Sequence, residues 1–439
     1  MKRLALLLVA ASCCGATREV GSGKTYATIT DAITAASAGD TISVFNGTYA
    51  ETISLSKSNL TISAAAGNAP EIAGRITASA QGFTLRGMIV RDWTGLNNVG
   101  VRVDGQTNAT IENCEFRNGP EGSSAIYIRN TGGVLIRSNT THHCATGINI
   151  VSGRGSSYAT GTRIENNLVV SNWFDGMDLH GRYLTVTGNT IYRNFDTNWV
   201  VNHPDGIQLI DSTVDSQQGC QEVIIARNRI YSHPQNVFIG WYTTNLVVAN
   251  NVMDNEAGVV SGVDLDSATT KHVVLMSGTN LLVANNTFGR CGNSGVYLVW
   301  EADKWASARV LNNITDGVFG GGLAVFAMST TNIVELDYNL YGTNNSYAVR
   351  VGASYYTTAA SARAATQYED HGIDGDPLLS NYVPQAGSPA INAGATLSEF
   401  SDDYIGSARA APWDIGAYEL IHPTASAGTV TVGTLIIGP

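Results

Sequence analysis

The sequence predicts an all-β, single-domain solenoid of about 10–12 coils whose strands stack parallel from one coil to the next. Three observations predict it. From residue 100 onward a five-residue strand recurs, with a small residue followed by two apolar positions that flank a variable one. A second strand ending in asparagine accompanies it, and the two families advance in step while the loops between them vary in length. The first family reads GVRVD at 100, AIYIR at 125, GINIV at 147, GMDLH at 176, GIQLI at 206, NVFIG at 236, HVVLM at 272, GVYLV at 295, GLAVF at 322 and AVRVG at 348.

The period-two alternation points pairs such as Ile148/Ile150, Met177/Leu179 and Ile207/Leu209 inward and the residue between them outward. The second family ends at Asn139, Asn167, Asn189, Asn228, Asn251, Asn286, Asn313 and Asn339. Asparagine at the same bend of every coil predicts a ladder, each amide bonding its neighbours above and below and satisfying turn groups beyond the reach of the sheet.

Composition agrees. Only 14% of the side chains are charged and 47 residues are glycine, as expected where stacked coils would set like charges about 4.8 Å apart. The 44% hydrophobic content excludes disorder. A formal charge of −11 with no basic cluster after Arg3 argues against nucleic acid as a partner. Neither a cysteine zinc site nor a phosphate loop is predicted: CxxC spacing is absent, and GSGK at 21–24 lacks the Walker spacing.

Lys2 and Arg3 precede the apolar run 4–11, too short to span a bilayer, so residues 1–16 read as a signal peptide and the chain as secreted, periplasmic or outer-surface. Cleavage is expected after Ala16. Ala-Ala-Ser-Cys at 10–13 also reads as a lipobox, which would put a lipid anchor on Cys13 in place of a membrane span. Export permits disulfides among Cys114, Cys144, Cys220 and Cys291, with pairing open. The body is expected over 17–420. It begins with a cap at about 25–40 that carries a short amphipathic helix, about 28–38, and ends with a closing segment at about 370–420 before the tail 421–439.

Function in such a scaffold must sit on outward positions. Aligning the first-family strands puts Val99, Ser124, Thr146, Asp175, Asp205, Gln235, Lys271 and Ser294 in one column, just before the small residue. The outward column between the apolar pair holds Arg102, Tyr127, Asn149, Asp178, Gln208, Phe238, Val274 and Tyr297. Three consecutive coils thereby gather Asp175, Asp178, His180, His203, Asp205, Gln208 and His233 on one patch. Stacked carboxylates repel and raise one another's pKa, which singles the patch out as the candidate site. Longer inserts at 193–203, 211–221 and 254–271 would wall a cleft around it, and Trp173, Trp199, Trp241 and Tyr242 would stack on the apolar faces of sugar rings.

The repeat, the asparagine column and both end segments (TYATITDAITAASAGDTISVFNGTYAETI at 25–53; DPLL, GSPAINAGA and DIGAYEL at 376–420) resemble the right-handed parallel β-helix of the pectin-lyase-like superfamily. Within it, NxxDGxD (Asn172, Asp175, Gly176, Asp178) is similar to the NTDGxD motif of polygalacturonase-type hydrolases, with Asp205, His233 and Lys271 on the following coils. The Asp-Asp pair, Gly-His-Gly and Arg-x-Lys of that family are missing. The resemblance implies a carbohydrate-active enzyme that cleaves a polysaccharide, expected to contain uronic acid, by Asp acid/base hydrolysis. Asp175, Asp178, Asp205, His203 and His233 are its catalytic candidates, and His180, Gln208, Trp173, Trp199, Trp241, Tyr242, Arg182 and Lys271 would bind substrate. Hydrolysis needs no cofactor. The rival chemistry, a lyase or C5-epimerase, would hold Ca²⁺ on Asp175, Asp178 and Asp205 and use His203, Lys271 or Arg182 as base. A non-catalytic polysaccharide-binding β-helix is the third reading.

Overall fold

A computed structural model of the chain describes residues 15–94, 99–152, 159–194, 204–210, 219–240, 242–255, 257, 259–260, 263–264, 270–276, 278–298, 307–318, 323–325 and 333–420. The signal segment 1–14, with Cys13, and the tail 421–439 lie outside them. Short strands dominate, assembled into three 13-stranded sheets in which each strand pairs with those one coil before and one coil after. This is a single parallel β-helix. Its first coils, such as Ile53–Leu55 and Ile76–Ala78, lack the repeat signature, which begins only with the strand Val99–Asp104.

Every first-family strand read from the sequence falls in one sheet, here named the site sheet. Arg102, Tyr127, Asn149, Asp178, Gln208, Phe238, Val274, Tyr297, Ala324 and Arg350 pair successively along it. The second family forms the first sheet. A third sheet, of strands such as Thr140–His142, Leu168–Val170 and Arg229–Tyr231, closes each coil. The three strands named bury one central residue apiece, for example Val169 and Ile230, and others of the sheet are only two residues long, so no alternation betrays them. Inward residues of all three sheets form one continuous core from Val20 to Tyr368.

The asparagine ladder is present in full. Asn139, Asn167, Asn189, Asn228, Asn251, Asn286 and Asn313 each donate through Nδ2 to the Oδ1 of the next member at 2.9–3.1 Å. The residue before each adopts a left-handed turn, as at Asn166 (φ 55°), Asn250 (φ 55°) and Asn285 (φ 53°). Glu369 ends the ladder: its Oε1 accepts from Asn339 Nδ2 at 2.8 Å and from the Tyr341 hydroxyl. Burial pushes the Glu369 carboxyl up to about 7. Because its folded-state pKa lies above the unfolded one, the folded chain binds the extra proton, and stability falls as pH rises from about 4.5 to 7. Glu369→Gln keeps the acceptor without the charge. It is expected to flatten that slope and gain about 2–3 kcal/mol at pH 8, read from unfolding midpoints at pH 4.5 and pH 8.

Both ends are closed. The capping helix spans Ile29–Ala35, shorter than expected, with Thr28 as N-cap accepting from the Asp31 amide. Asp40 ties the entry together, accepting from the Ala16 and Ser37 amides at 2.8 Å and pairing with Arg18 at 2.9 Å. The closing segment goes further than a cap. Past Leu379 it runs back over the bend between the first and third sheets, packing Leu397 and Trp413 on Leu282, Ala284 and Leu311. Asn250, Asn285 and Asn312, the outward partners of ladder asparagines, bond its backbone. Cys114, Cys144, Cys220 and Cys291 are free, buried thiols, which settles the pairing left open by the sequence. No helix among the described residues is long and apolar enough to cross a membrane.

Candidate active site

The coils that carry the acidic patch are pinned by a second ladder that sequence reading missed. Asn172 Nδ2 donates to Asn194 Oδ1 at 2.8 Å, Asn194 Nδ2 to His233 Nε2 at 3.0 Å, and the His233 amide to Asn255 Oδ1 at 3.3 Å. A histidine in third place and irregular loop lengths hide it. The ladder holds the bend just before the site sheet, and each coil then leaves it toward the patch.

Asp175 and Asp205 sit at that exit. Each is followed by a glycine because the coils approach too closely for a side chain. A Cβ on Gly176 would meet the Gly206 carbonyl at 2.6 Å, and one on Gly206 the Asn236 carbonyl at 2.5 Å. The glycine is therefore imposed by stacking, and the aspartate is what the site adds. Asp175 is 9% exposed and Asp205 1%. The Asp205 amide donates to Asp175 Oδ1 at 2.8 Å, which couples the two coils directly. Asp178 and Gln208 face outward side by side on the paired strands Met177–Leu179 and Asp205–Leu209, both half-buried.

Burial and mutual repulsion set the protonation states. The Asp175 carboxyl is held well above the usual range by desolvation and by the charge of Asp178. Asp205 is raised in the same way by burial, then by Asp175 and Asp178. Burial pushes Asp178 up to about 6. Near neutral pH the group therefore holds Asp178 ionised beside two carboxyls that favour their protons. Three buried acceptor atoms in this cluster have no hydrogen-bond partner: Asp205 Oδ1, Asn149 Oδ1 and Gln235 Oε1. Asn149 pairs in register with Asp178, and Gln235 with Asp205. Other buried polar atoms without partners, such as Thr131 Oγ1 and Thr162 Oγ1, are scattered along the coils, whereas these three acceptors fall on neighbouring coils of one sheet, where a donor from water or a ligand would satisfy them. Asn149 and Gln235 were in the aligned columns but carry no charge, so sequence reasoning did not single them out.

The other expected site residues divide. Lys271 lies two coils beyond Asp205 in the same column, its Nζ 4.8 Å from the Tyr297 ring centroid, with its pKa lowered by burial. His180 closes the site strand and is buried, and Trp173 is half-buried beside Asn172. Arg182 and Tyr242 stand past the next bend, Arg182 opening a first-sheet strand. His203, Trp199 and Trp241 lie outside the described residues, as do most of the inserts 193–203 and 211–221 and part of 254–271, in which Val259–Val260 pairs with Val263–Asp264 as a hairpin.

His233 does not reach the patch. It is fully buried, with Nδ1 on Asn236 Oδ1 at 3.2 Å and Nε2 on Asn194, and burial lowers its pKa to about 3. The ring is a neutral ladder member, which corrects its expected place among the catalytic groups. Among the described residues no three His, Cys, Asp or Glu side chains converge as a metal-holding group. His233→Asn is expected to retain at least half the turnover and shift the unfolding midpoint by only a few degrees, whereas His233→Leu, which cannot accept from Asn194, loses about 2–4 kcal/mol in denaturant titration.

Solved structures share the fold at low identity. XylC, solved in complex with xylose, aligns with a TM-score of 0.54 and 11% identity over 92% of this chain and 98% of its own. The pectate lyase Pel9A aligns at 0.44 with 15% identity over 92% and 97% of the two chains. The A-module of the Azotobacter vinelandii mannuronan C-5 epimerase AlgE6 aligns at 0.42 with 13% identity over 79% and 92%. No curated protein matches. A family model described as a right handed beta helix region matches residues 75–251 and 211–338. Together with the coil architecture, that match establishes that the chain belongs to the right-handed β-helix family.

Proposed function

We propose that the protein is an exported carbohydrate-active enzyme that hydrolyses glycosidic bonds of a polysaccharide, one containing uronic acid, on the outward face of the site sheet. The observation that carries this reading is the split carboxyl cluster: Asp178 titrating at about 6 beside Asp175 and Asp205, both raised, with Asp205 Oδ1 unpartnered. Glycoside hydrolysis needs one protonated and one ionised carboxyl group. In this reading the Asp175–Asp205 pair delivers a proton to the leaving glycosidic oxygen. Ionised Asp178 takes a proton from the attacking water, whose oxygen bonds the anomeric carbon, and afterwards releases that proton to solvent. The C–O bond to the leaving sugar breaks as the new one forms, and the pair is reprotonated from solvent. Asn149 and Gln235 accept from sugar hydroxyls. Lys271, on its aromatic support, pairs with the carboxylate of a uronic residue.

The test is incubation with a panel of neutral and uronic polysaccharides, following both new reducing ends and the absorbance of unsaturated sugars. Reducing ends without unsaturation are the expected result. Unsaturated products abolished by a chelator would assign Ca²⁺-assisted elimination instead. Binding without either product would reduce the site to recognition.

A further inference from the structure

The first sheet carries a groove that the acidic patch does not use. Its strands are three residues long on coils such as Leu135–Arg137 and Arg163–Glu165, then lengthen to Arg182–Thr187, Gln221–Ala226, Thr243–Ala249 and Gly278–Ala284. At the same point in each long strand one residue turns left-handed and drops out of the pairing register: Tyr183 (φ 53°), Glu222 (φ 54°), Asn245 (φ 53°) and Asn280 (φ 53°). Their side chains stack outside the barrel as a third, external ladder. Asn280 Nδ2 donates to Asn245 Oδ1 at 2.8 Å, and Asn245 Nδ2 to Glu222 Oε1 at 2.5 Å.

Alongside runs an apolar stripe of outward residues in register, Ile224, Val247 and Leu282. The returning closing segment covers Leu282 with Leu397 and Trp413, and the stripe then emerges into solvent at Ile224, which is 43% exposed. Tyr183 beyond it is 62% exposed. Ladder, stripe and the flank of Glu399 line an open groove of about 580 Å³, within the range of ligand pockets.

We infer that this groove is a second, non-catalytic binding site for a neutral glycan chain. The chemistry is that of sugar recognition: a ring face and an aliphatic floor for the apolar side of a pyranose, with amides and a carboxylate beside them for its hydroxyls. The polar groups repeat once per coil, about every 4.8 Å, and a periodic row is matched by a periodic polymer. Glu399 is ion-paired with Arg309, which leaves the Glu222 carboxylate as the uncompensated charge of the lining; it disfavours uronate and favours a neutral chain. A strand-like peptide is disfavoured because the sheet's backbone groups here are already paired with neighbouring coils. The site lies on a different sheet from Asp178, and it stands whether or not that sheet is catalytic.

The test is affinity electrophoresis in gels cast with soluble arabinoxylan, mixed-linkage glucan or polygalacturonate, using full-length Asp178→Asn protein so that no substrate is consumed. Retardation by a neutral polymer is expected, with the apparent dissociation constant raised at least tenfold by Tyr183→Ala and by Asn245→Leu added in turn, at unchanged unfolding midpoints. The inference is overturned if neither neutral polymer retards the protein, if only polygalacturonate does, or if both added substitutions leave retardation unchanged. It is equally overturned if Tyr183→Ala converts a sedimenting dimer to monomer without altering glycan retardation, which would make the groove a self-association surface.

Discussion

Asp178→Asn is expected to lower turnover of the susceptible polysaccharide about 100- to 10,000-fold while making the protein more stable. The two effects share one cause. Burial raises the Asp178 carboxyl to about 6 from an ordinary value near 3.8, so ionising it costs more in the folded chain than in the unfolded one. The folded state therefore binds protons more strongly, and wild-type stability falls as pH rises from about 4 to 6. The asparagine variant has no such charge to desolvate. It should exceed wild type by about 1–3 kcal/mol above pH 6, the gap closing by pH 4. Denaturant titrations at pH 4 and pH 7, beside initial rates of reducing-end release, check both halves. Equal stability of the two proteins at pH 7 would mean the carboxyl is not desolvated. Full activity of the variant would remove Asp178 from the chemistry.

Asn228→Ala should be the most destabilising single change in the coil region, by about 3–5 kcal/mol. Asn228 stands mid-ladder. Its Nδ2 donates to the Val186 and Ala226 carbonyls at 2.8 and 3.0 Å and to Asn251 Oδ1 at 3.0 Å, while its Oδ1 accepts from both the amide and the side chain of Asn189 at 2.9 Å. Alanine strands donors and acceptors on two adjacent coils where no water reaches, since Asn189, Asn228 and Asn251 are all essentially unexposed. The loss is to be read from unfolding in urea, with Asn245→Ala on the exposed ladder as the control, expected to cost less than about 1 kcal/mol.

The sequence showed the coil axis because strict stacking repeats one residue type at one place. Eight asparagines in register, and the outward column from Arg102 to Tyr297, were legible for that reason and match the pairing residue for residue. Asp175, Asp178 and Asp205 were legible as breaks in that regularity. The third sheet was not, because strands of two or three residues carry no period. His233 misled because imidazole serves equally as catalyst and as ladder rung, and only its neighbours Asn194 and Asn236 decide between them. Asn149 and Gln235 were unreadable as site residues because what marks them is an acceptor without a donor, a property of space and not of order.

The returning closing segment bears on how this chain comes apart. Stacked coils touch only their neighbours, so a bare solenoid can fray from an end one turn at a time. Here Asn285 is bonded to Asp414 across 129 positions, Asn250 to Asp402 across 152, and Arg227 to Asp402 across 175. Those clasps lash coils from Arg227 to Leu340 to a rod laid along them. The last turns cannot peel without first releasing the rod, and the rod cannot release without exposing Trp413 and Ile415. Unzipping is thereby turned into an all-or-none event for the C-terminal half. During synthesis the same half waits for residues 376–420 to emerge before it locks, long after the coils beneath them have formed.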